Sequence, residues 1–274
     1  MSQPAASPPA TSDPRLPAPW GTHDIDAERT LPIRLGPLAL WFRYRNSEIW
    51  IASAPAGDGF AVASQPPDAE QWVRWAVPAG SRTVRLVPVF PDRPIVVEPE
   101  LSFRLLRHAD ARVYVRVTLW VRIELGDTGV TLLEIPIQRM SDTWFGGFVD
   151  GELCYWHPTT ARREVCDELF HPHLAVCPLQ LSNQSSGELN VQKIALRVAH
   201  LSLFVTGSGG FWADDTRVRY EGDELGSSVD MSGRPPDEAG NATLVTRPRL
   251  PIQRSFRTRT FARLKAFSGL GSAT

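Results

Sequence analysis

"ARVYVRVTLWVRIEL", residues 111–125, decides the fold class. Val113, Val115, Val117, Leu119, Val121, Ile123 and Leu125 hold every second position, and Arg112, Tyr114, Arg116, Thr118, Trp120, Arg122 and Glu124 hold the others. A helix would scatter that apolar set around its axis, whereas a strand gathers it on one side, because successive strand side chains point to opposite faces. The run predicts a long strand with one face in a core. Its second face, with Tyr114 and Trp120 between three Arg, has two readings. Arg beside aromatic rings can grip single-stranded nucleic acid or an anionic ligand. Alternatively, it is a solvated sheet face on which Arg stems cover the rings. The charge balance favours the second: 29 Lys and Arg against 30 Asp and Glu give −1, and nucleic-acid binders carry a basic excess. No nucleic-acid partner is expected.

Outward from this run the pattern stays that of strands. Upstream, Leu38, Leu40, Phe42 and Tyr44 share one side and Trp41, Arg43 and Arg45 the other, and "RNSE" turns the chain into "IWIAS", a hairpin. Breaks containing Pro, Gly or Asp separate further expected strands over 59–64, 71–77, 82–90 and 101–106. Downstream, "GDTG" at 126–129 turns the chain into "VTLLEIPI", and strands resume at "LAVCPLQLSN" and over 189–205. In that last run Ile194, Leu196 and Val198 share one parity and Leu201, Leu203 and Val205 the other. The switch near Ala199 and His200 predicts a β-bulge or a strand passing between sheets. "FWADDTRVRYEG" reads as another edge, and 222–241 as a long loop.

Composition agrees. The 24 Pro and 20 Gly among 274 residues suit many short strands better than long helices. The expected fold class is all-β, an antiparallel β-sandwich of one large or two packed sandwich-like halves, 20–138 and 139–253. A Pro-rich tail over 1–19, expected to be disordered, precedes them, and a basic segment over 254–274, where a short helix is open, follows. The tail holds six Pro and lacks the basic start and apolar stretch of a signal peptide. No run of eighteen apolar residues spans a membrane as a helix, and three Cys, an odd number, fit a reducing cytoplasm. The expected location is cytoplasmic, peripheral to the inner membrane at most.

Three places carry candidate chemistry. "SDTWFGGFVDGELCYW", residues 141–156, reads as a turn-and-strand corner with Gly at its bends and its aromatics packed inward. It offers Asp142, Trp144, Phe145 and Trp156 as core or interface anchors. Cys154, His157, Cys166, His171, His173 and Cys177 fall within twenty-four residues and are the ligand types zinc prefers. Against a zinc site, no C-x-x-C is present and Cys154 and Cys177 lie in apolar text, where Cys is usually a small buried hydrophobe. Cys154 as a nucleophile is weaker, because His157, three residues along a strand, faces away from it. Finally, 247–267 holds seven Lys and Arg and no acid. Arg257, Arg259 and Arg263 there could meet an anionic membrane surface or an acidic partner, or the segment could simply dock its Phe on the sandwich.

"DRPIVVEPELSFRL", "VTLWVRIEL", "SDTWFG" and "GELCYW", in that order, resemble the uncharacterised prokaryotic family catalogued as domain of unknown function 432, over roughly residues 20–260. The resemblance implies no established activity, substrate or catalytic residue. Because members are sometimes found beside small mechanosensitive channels, it does imply a membrane-associated partner. The expectation is a non-enzymatic β-sandwich binding or interaction module, associated with a membrane protein. A zinc-binding protein with a structural or hydrolytic Cys/His site is the alternative, and a carbohydrate- or small-ligand-binding sandwich the next.

Overall fold

A computed structural model describes residues 16–56, 66, 68, 71–147, 151–222, 226–251, 256–258, 260 and 261. The expected strand over 59–64, most of the Pro-rich tail, Arg259 and Arg263 lie outside the described residues. Among the described residues, strands and short 3-10 turns make up the regular structure, and no helix is long and apolar enough to cross a membrane. The fold is all-β and sandwich-like.

The 111–125 run becomes two strands, Asp110–Thr118 and Trp120–Leu125, which belong to different sheets. All seven alternate apolar residues are buried, none more than 9% exposed. The break falls at Leu119, whose N–H donates to the His173 carbonyl at 3.0 Å and whose carbonyl accepts from Ile137 at 3.4 Å. Leu119 stays inside, so the alternation continues through the corner and hides it.

Trp120–Leu125 lies between Thr83–Val89 and Thr131–Pro136 in a four-stranded sheet edged by Gly21–Asp24. A second four-stranded sheet is a meander of Leu31–Leu35, Leu38–Arg45, Glu48–Pro55 and Val73–Ala76. Its central turn has Asn46 and Ser47 at φ 51° and 58°, the two positive values that a tight hairpin turn matching strand twist requires. The largest sheet runs Ile194–Leu196, Ile95–Pro99, Glu152–Arg162, Asp110–Thr118, Leu174–Asn183, Phe211–Ala213, Leu203–Val205 and Thr243–Thr246. Leu174–Asn183 also carries Thr216–Gly222, followed by Gly226–Met231 and Phe256–Thr258. This sheet is mixed: Ile95–Pro99 is parallel to Glu152–Arg162, and Leu174–Asn183 is parallel to both Phe211–Ala213 and Thr216–Gly222. It takes strands from both sides of residue 138, and one apolar cluster from Trp20 to Met231 runs beneath all the sheets.

The structure corrects three local expectations. The parity switch is neither a bulge nor a change of sheet: a 3-10 turn over Val198–His200 joins two strands at opposite ends of the largest sheet. The expected loop 222–241 contains the strand Gly226–Met231, hydrogen-bonded to Thr216–Gly222 despite its Gly and Ser content. Phe256–Thr258, in the segment where a short helix was open, is a strand on Gly226–Met231. There the unsatisfied backbone groups of a sheet edge outweigh an imperfect helical pattern. The same segment then meets Ile194–Leu196: Phe261 bridges Ile194, and Ala195 donates to the Thr260 carbonyl at 2.9 Å. The strand circuit of the largest sheet thus returns on itself.

Candidate functional site

Ser141–Phe145 pairs antiparallel with Glu152–Arg162, placing Asp142 opposite Tyr155, Thr143 opposite Cys154 and Trp144 opposite Leu153. One face of this hairpin turns inward, where Phe145 and Cys154 pack with Val96 and Ala195. The other carries Trp144, 55% exposed, beside Leu153, 45% exposed, and Trp156 is 39% exposed. No other strand pairs with Ser141–Phe145 among the described residues, so its outer backbone edge is open.

The exposed indole is held in place. Trp144 Nε1 donates to the Gly147 carbonyl at 2.9 Å, and a Cβ on Gly151 would stand 2.2 Å from that nitrogen. Glycine at 151 is therefore a packing requirement. Asp142 pairs with Arg93 at 3.2 Å, Arg93 lies over the Tyr155 ring at 5.3 Å, and Tyr155 donates to Asp92 at 2.9 Å. Burial, reinforced by Asp92, pushes the Tyr155 hydroxyl up to about 12, so it remains a donor. Tyr155 also meets Trp120 at 6.2 Å, and Arg249 covers Trp120 at 5.6 Å. These contacts tie the hairpin to the four-stranded sheet.

Of the expected anchors, Phe145 is core, Trp144 and Trp156 are surface, and Asp142 is an exposed ion-pair partner. Leu153 was missed, although alternation in "GELCYW" places it opposite Cys154 in facing, and the register brings it to Trp144. Arg257 lies in a strand, its backbone paired with that of Ser228.

The Cys and His side chains disperse. Cys154 sits in the small cluster under the hairpin, Cys177 is in the main core, and Cys166 precedes the 3-10 turn Asp167–Leu169, accepting from Arg162 at 3.6 Å. His157, 6% exposed, puts Nε2 2.6 Å from the Thr118 hydroxyl, and its buried Nδ1 has no hydrogen-bond partner among the described residues. The His171 and His173 rings stand 5.8 Å apart. Burial, aided by Arg116 and His173, lowers His157 to about 4; burial, aided by His171, does the same to His173. Among the described residues no three His, Cys, Asp or Glu side chains converge on one metal position. Burial, with Glu152 adding, raises the Cys154 thiol to about 11, the reverse of what an activated nucleophile needs.

The Arg and aromatic face of Asp110–Thr118 is not the solvated face expected from its sequence. Tyr114 is 7% exposed, packs edge-on against Trp212 at 6.4 Å and donates to Glu238 at 2.7 Å. Arg116 donates to the Glu168 carbonyl at 3.3 Å, and Arg122 pairs with Glu134 at 2.6 Å. The turns Asp167–Leu169 and Asp237–Ala239 form a second layer here, their Leu169 and Ala239 packed with Tyr114, Val176 and Trp212.

Sheets packed over one apolar core, with an open aromatic edge hairpin, place the protein in the all-β class. The chain belongs to the family described as protein of unknown function (DUF432), whose family model matches residues 19–265. No curated protein and no solved structure matches the chain.

Proposed function

We propose that the protein is a non-enzymatic interaction module that takes an extended polypeptide segment along the open Ser141–Phe145 edge. The observation that carries this reading is Trp144 beside Leu153, both largely exposed, on a strand with one unpaired edge. An added strand gains main-chain hydrogen bonds, and alternate side chains give specificity. A preset indole supplies large contact area at small entropic cost, as Trp does at interface hot spots. The partner class is a segment with apolar side chains at alternate positions, and a membrane protein offering one outside the bilayer is the partner the family resemblance favours.

Site-specific photocrosslinking in the native host tests this. A benzoylphenylalanine at position 144 is expected to yield one discrete protein adduct, absent with the probe at Leu101, which is 82% exposed, and abolished by Leu153→Lys. Equal labelling from both positions, no adduct from 144, or an adduct unaffected by Leu153→Lys would overturn the proposal.

A further inference from the structure

On the outer face of the largest sheet, three neighbouring strands lay out a polar grid. Arg112, Gln180 and Arg217 form one row across Asp110–Thr118, Leu174–Asn183 and Thr216–Gly222, and Asp110, Ser182 and Arg219 form the next. The chain after Met231 stands beside this grid, and together they line a groove of about 660 Å³. That volume suits a small molecule.

The groove's charges are divided between committed and uncommitted groups. Arg112 binds Asp215 at 2.5 Å and Glu238 at 3.0 Å, and Tyr114 also donates to Glu238, so two of the four lining carboxylates are bound within the protein and share one guanidinium. No hydrogen bond or ion pair among the described residues engages the guanidinium of Arg217 or Arg234. Asp230, opposite Arg217 on the next strand, forms no ion pair with it. Arg219 makes one long contact, 3.5 Å to the Ser228 hydroxyl. Arg217 and Arg219 alternate with the buried Val218, so both rise on the outer face, about 7 Å apart at two residues' spacing.

Arg234 completes the set from a pinned backbone. Its carbonyl accepts from Asp215 N–H at 3.1 Å and from the Ser232 hydroxyl at 2.9 Å, and its own N–H donates to Ser232 at 3.1 Å. Pro235 and Pro236 follow and line the groove, and their fixed φ stiffens it. No lining residue is aromatic, so a neutral sugar would lack the stacking surface such ligands use.

We propose that this groove binds a small polar ligand through a phosphomonoester, held by Arg217, Arg219 and Arg234. Guanidinium forks match phosphate oxygens in pairs, and three of them suit a dianion better than a single carboxylate. Gln180, Ser182 and the uncommitted carboxylates of Asp110 and Asp237 receive the hydroxyl or amine groups of the remainder. The groove lies beyond Asp110–Thr118 from the aromatic hairpin in the strand order, and the proposal does not depend on that hairpin's role.

Titration calorimetry on the full chain tests it with two probes, glycerol 3-phosphate and vesicles containing phosphatidic acid, with phosphatidylcholine vesicles as background. The Arg217→Gln/Arg234→Gln variant removes two uncommitted side chains, and Arg104→Gln, outside the groove lining, serves as the control. Binding of glycerol 3-phosphate that the double variant weakens at least ~10-fold, with Arg104→Gln unchanged, supports a soluble phosphomonoester. Vesicle binding lost in the same variant, without glycerol 3-phosphate binding, supports a lipid headgroup. Binding of neither probe, or binding that the double variant leaves intact, overturns the proposal.

Discussion

Phe261 lies antiparallel to Ile194 in a one-residue bridge, linking the last described part of the chain to the opposite end of the largest sheet. Its ring packs edge-on against Tyr220 at 5.8 Å and rests on the main core. Phe256–Thr258 and Phe261, within the basic segment, therefore have a structural role. Phe261→Ala is expected to destabilise the fold by about 2 kcal/mol, below the value for a fully buried Phe because Phe261 is half-buried. A chain ending at residue 255 loses both the Phe256–Thr258 strand and this bridge and should unfold at lower denaturant still. Unchanged urea midpoints would refute the closure. The truncation also cannot separate lipid binding from folding, whereas Arg259→Gln/Arg263→Gln can.

Acid should destabilise the protein through its histidines. His157 and His173 are held to about 4 in the fold, below the unfolded value of about 6.5. Protonation favours the unfolded chain, so stability is full above about pH 6.5 and falls as pH drops towards 4. Asp214 opposes this: burial raises its carboxyl to about 6, so its share of stability grows as pH falls through that range. Two histidines against one carboxylate leave a net loss of up to about 3 kcal/mol by pH 4. His157→Gln, which can still meet the Thr118 hydroxyl, should roughly halve the histidine contribution between pH 7 and pH 5. Identical pH slopes in denaturant unfolding of wild type and variant would exclude this account.

Gly36 should resist substitution. It opens the two-residue loop between Leu31–Leu35 and Leu38–Arg45 at φ +52°, and a Cβ there would stand 2.5 Å from His173 Nδ1. Gly36→Ala combines a left-handed backbone cost of about 1 kcal/mol with displacement of a half-buried ring. A total loss of roughly 2–4 kcal/mol is expected. A thermal midpoint within a degree of wild type would show that His173 moves aside freely.

Thiol labelling should separate the three cysteines. Cys154 and Cys177 are 0% and 1% exposed, and burial raises both thiols, so each should react with a disulfide reagent only on unfolding. Cys166, partly exposed before its 3-10 turn, should react first. Rapid native-state modification of Cys154, located by peptide mass, would contradict its burial and reopen nucleophilic chemistry at the hairpin.

Much of the architecture is local in origin. Alternation over 111–125 marks seven buried residues correctly, and "RNSE" marks a turn that the structure builds with two positive φ values. The corner at Leu119 escaped the same pattern because a buried residue sits at the bend, leaving parity intact. Arg112, Tyr114 and Arg116 looked solvent-facing because nothing in their spacing announces the covering layer from residues 167–169 and 237–239. Six close-spaced Cys and His suggested zinc, but residues near in sequence on strands and turns point to different surroundings, from the hairpin cluster to the main core.

The run of residues settles what a few neighbours can settle: strand periodicity, turn chemistry, and a turn-and-strand corner over 141–156, whereas the outward placement of Trp144 came from the structure. Tertiary structure alone decides which strands share a sheet, because pairing joins Asp110–Thr118 to Leu174–Asn183 and Thr216–Gly222 across long stretches of chain. It alone assembles the arginine groove, and it alone sets Phe256–Thr258 of the basic segment on Gly226–Met231 and Phe261 against Ile194. Backbone hydrogen bonds and apolar burial are satisfied by whichever segments meet in space, and sequence distance enters only through a loop-closure cost that grows slowly with length.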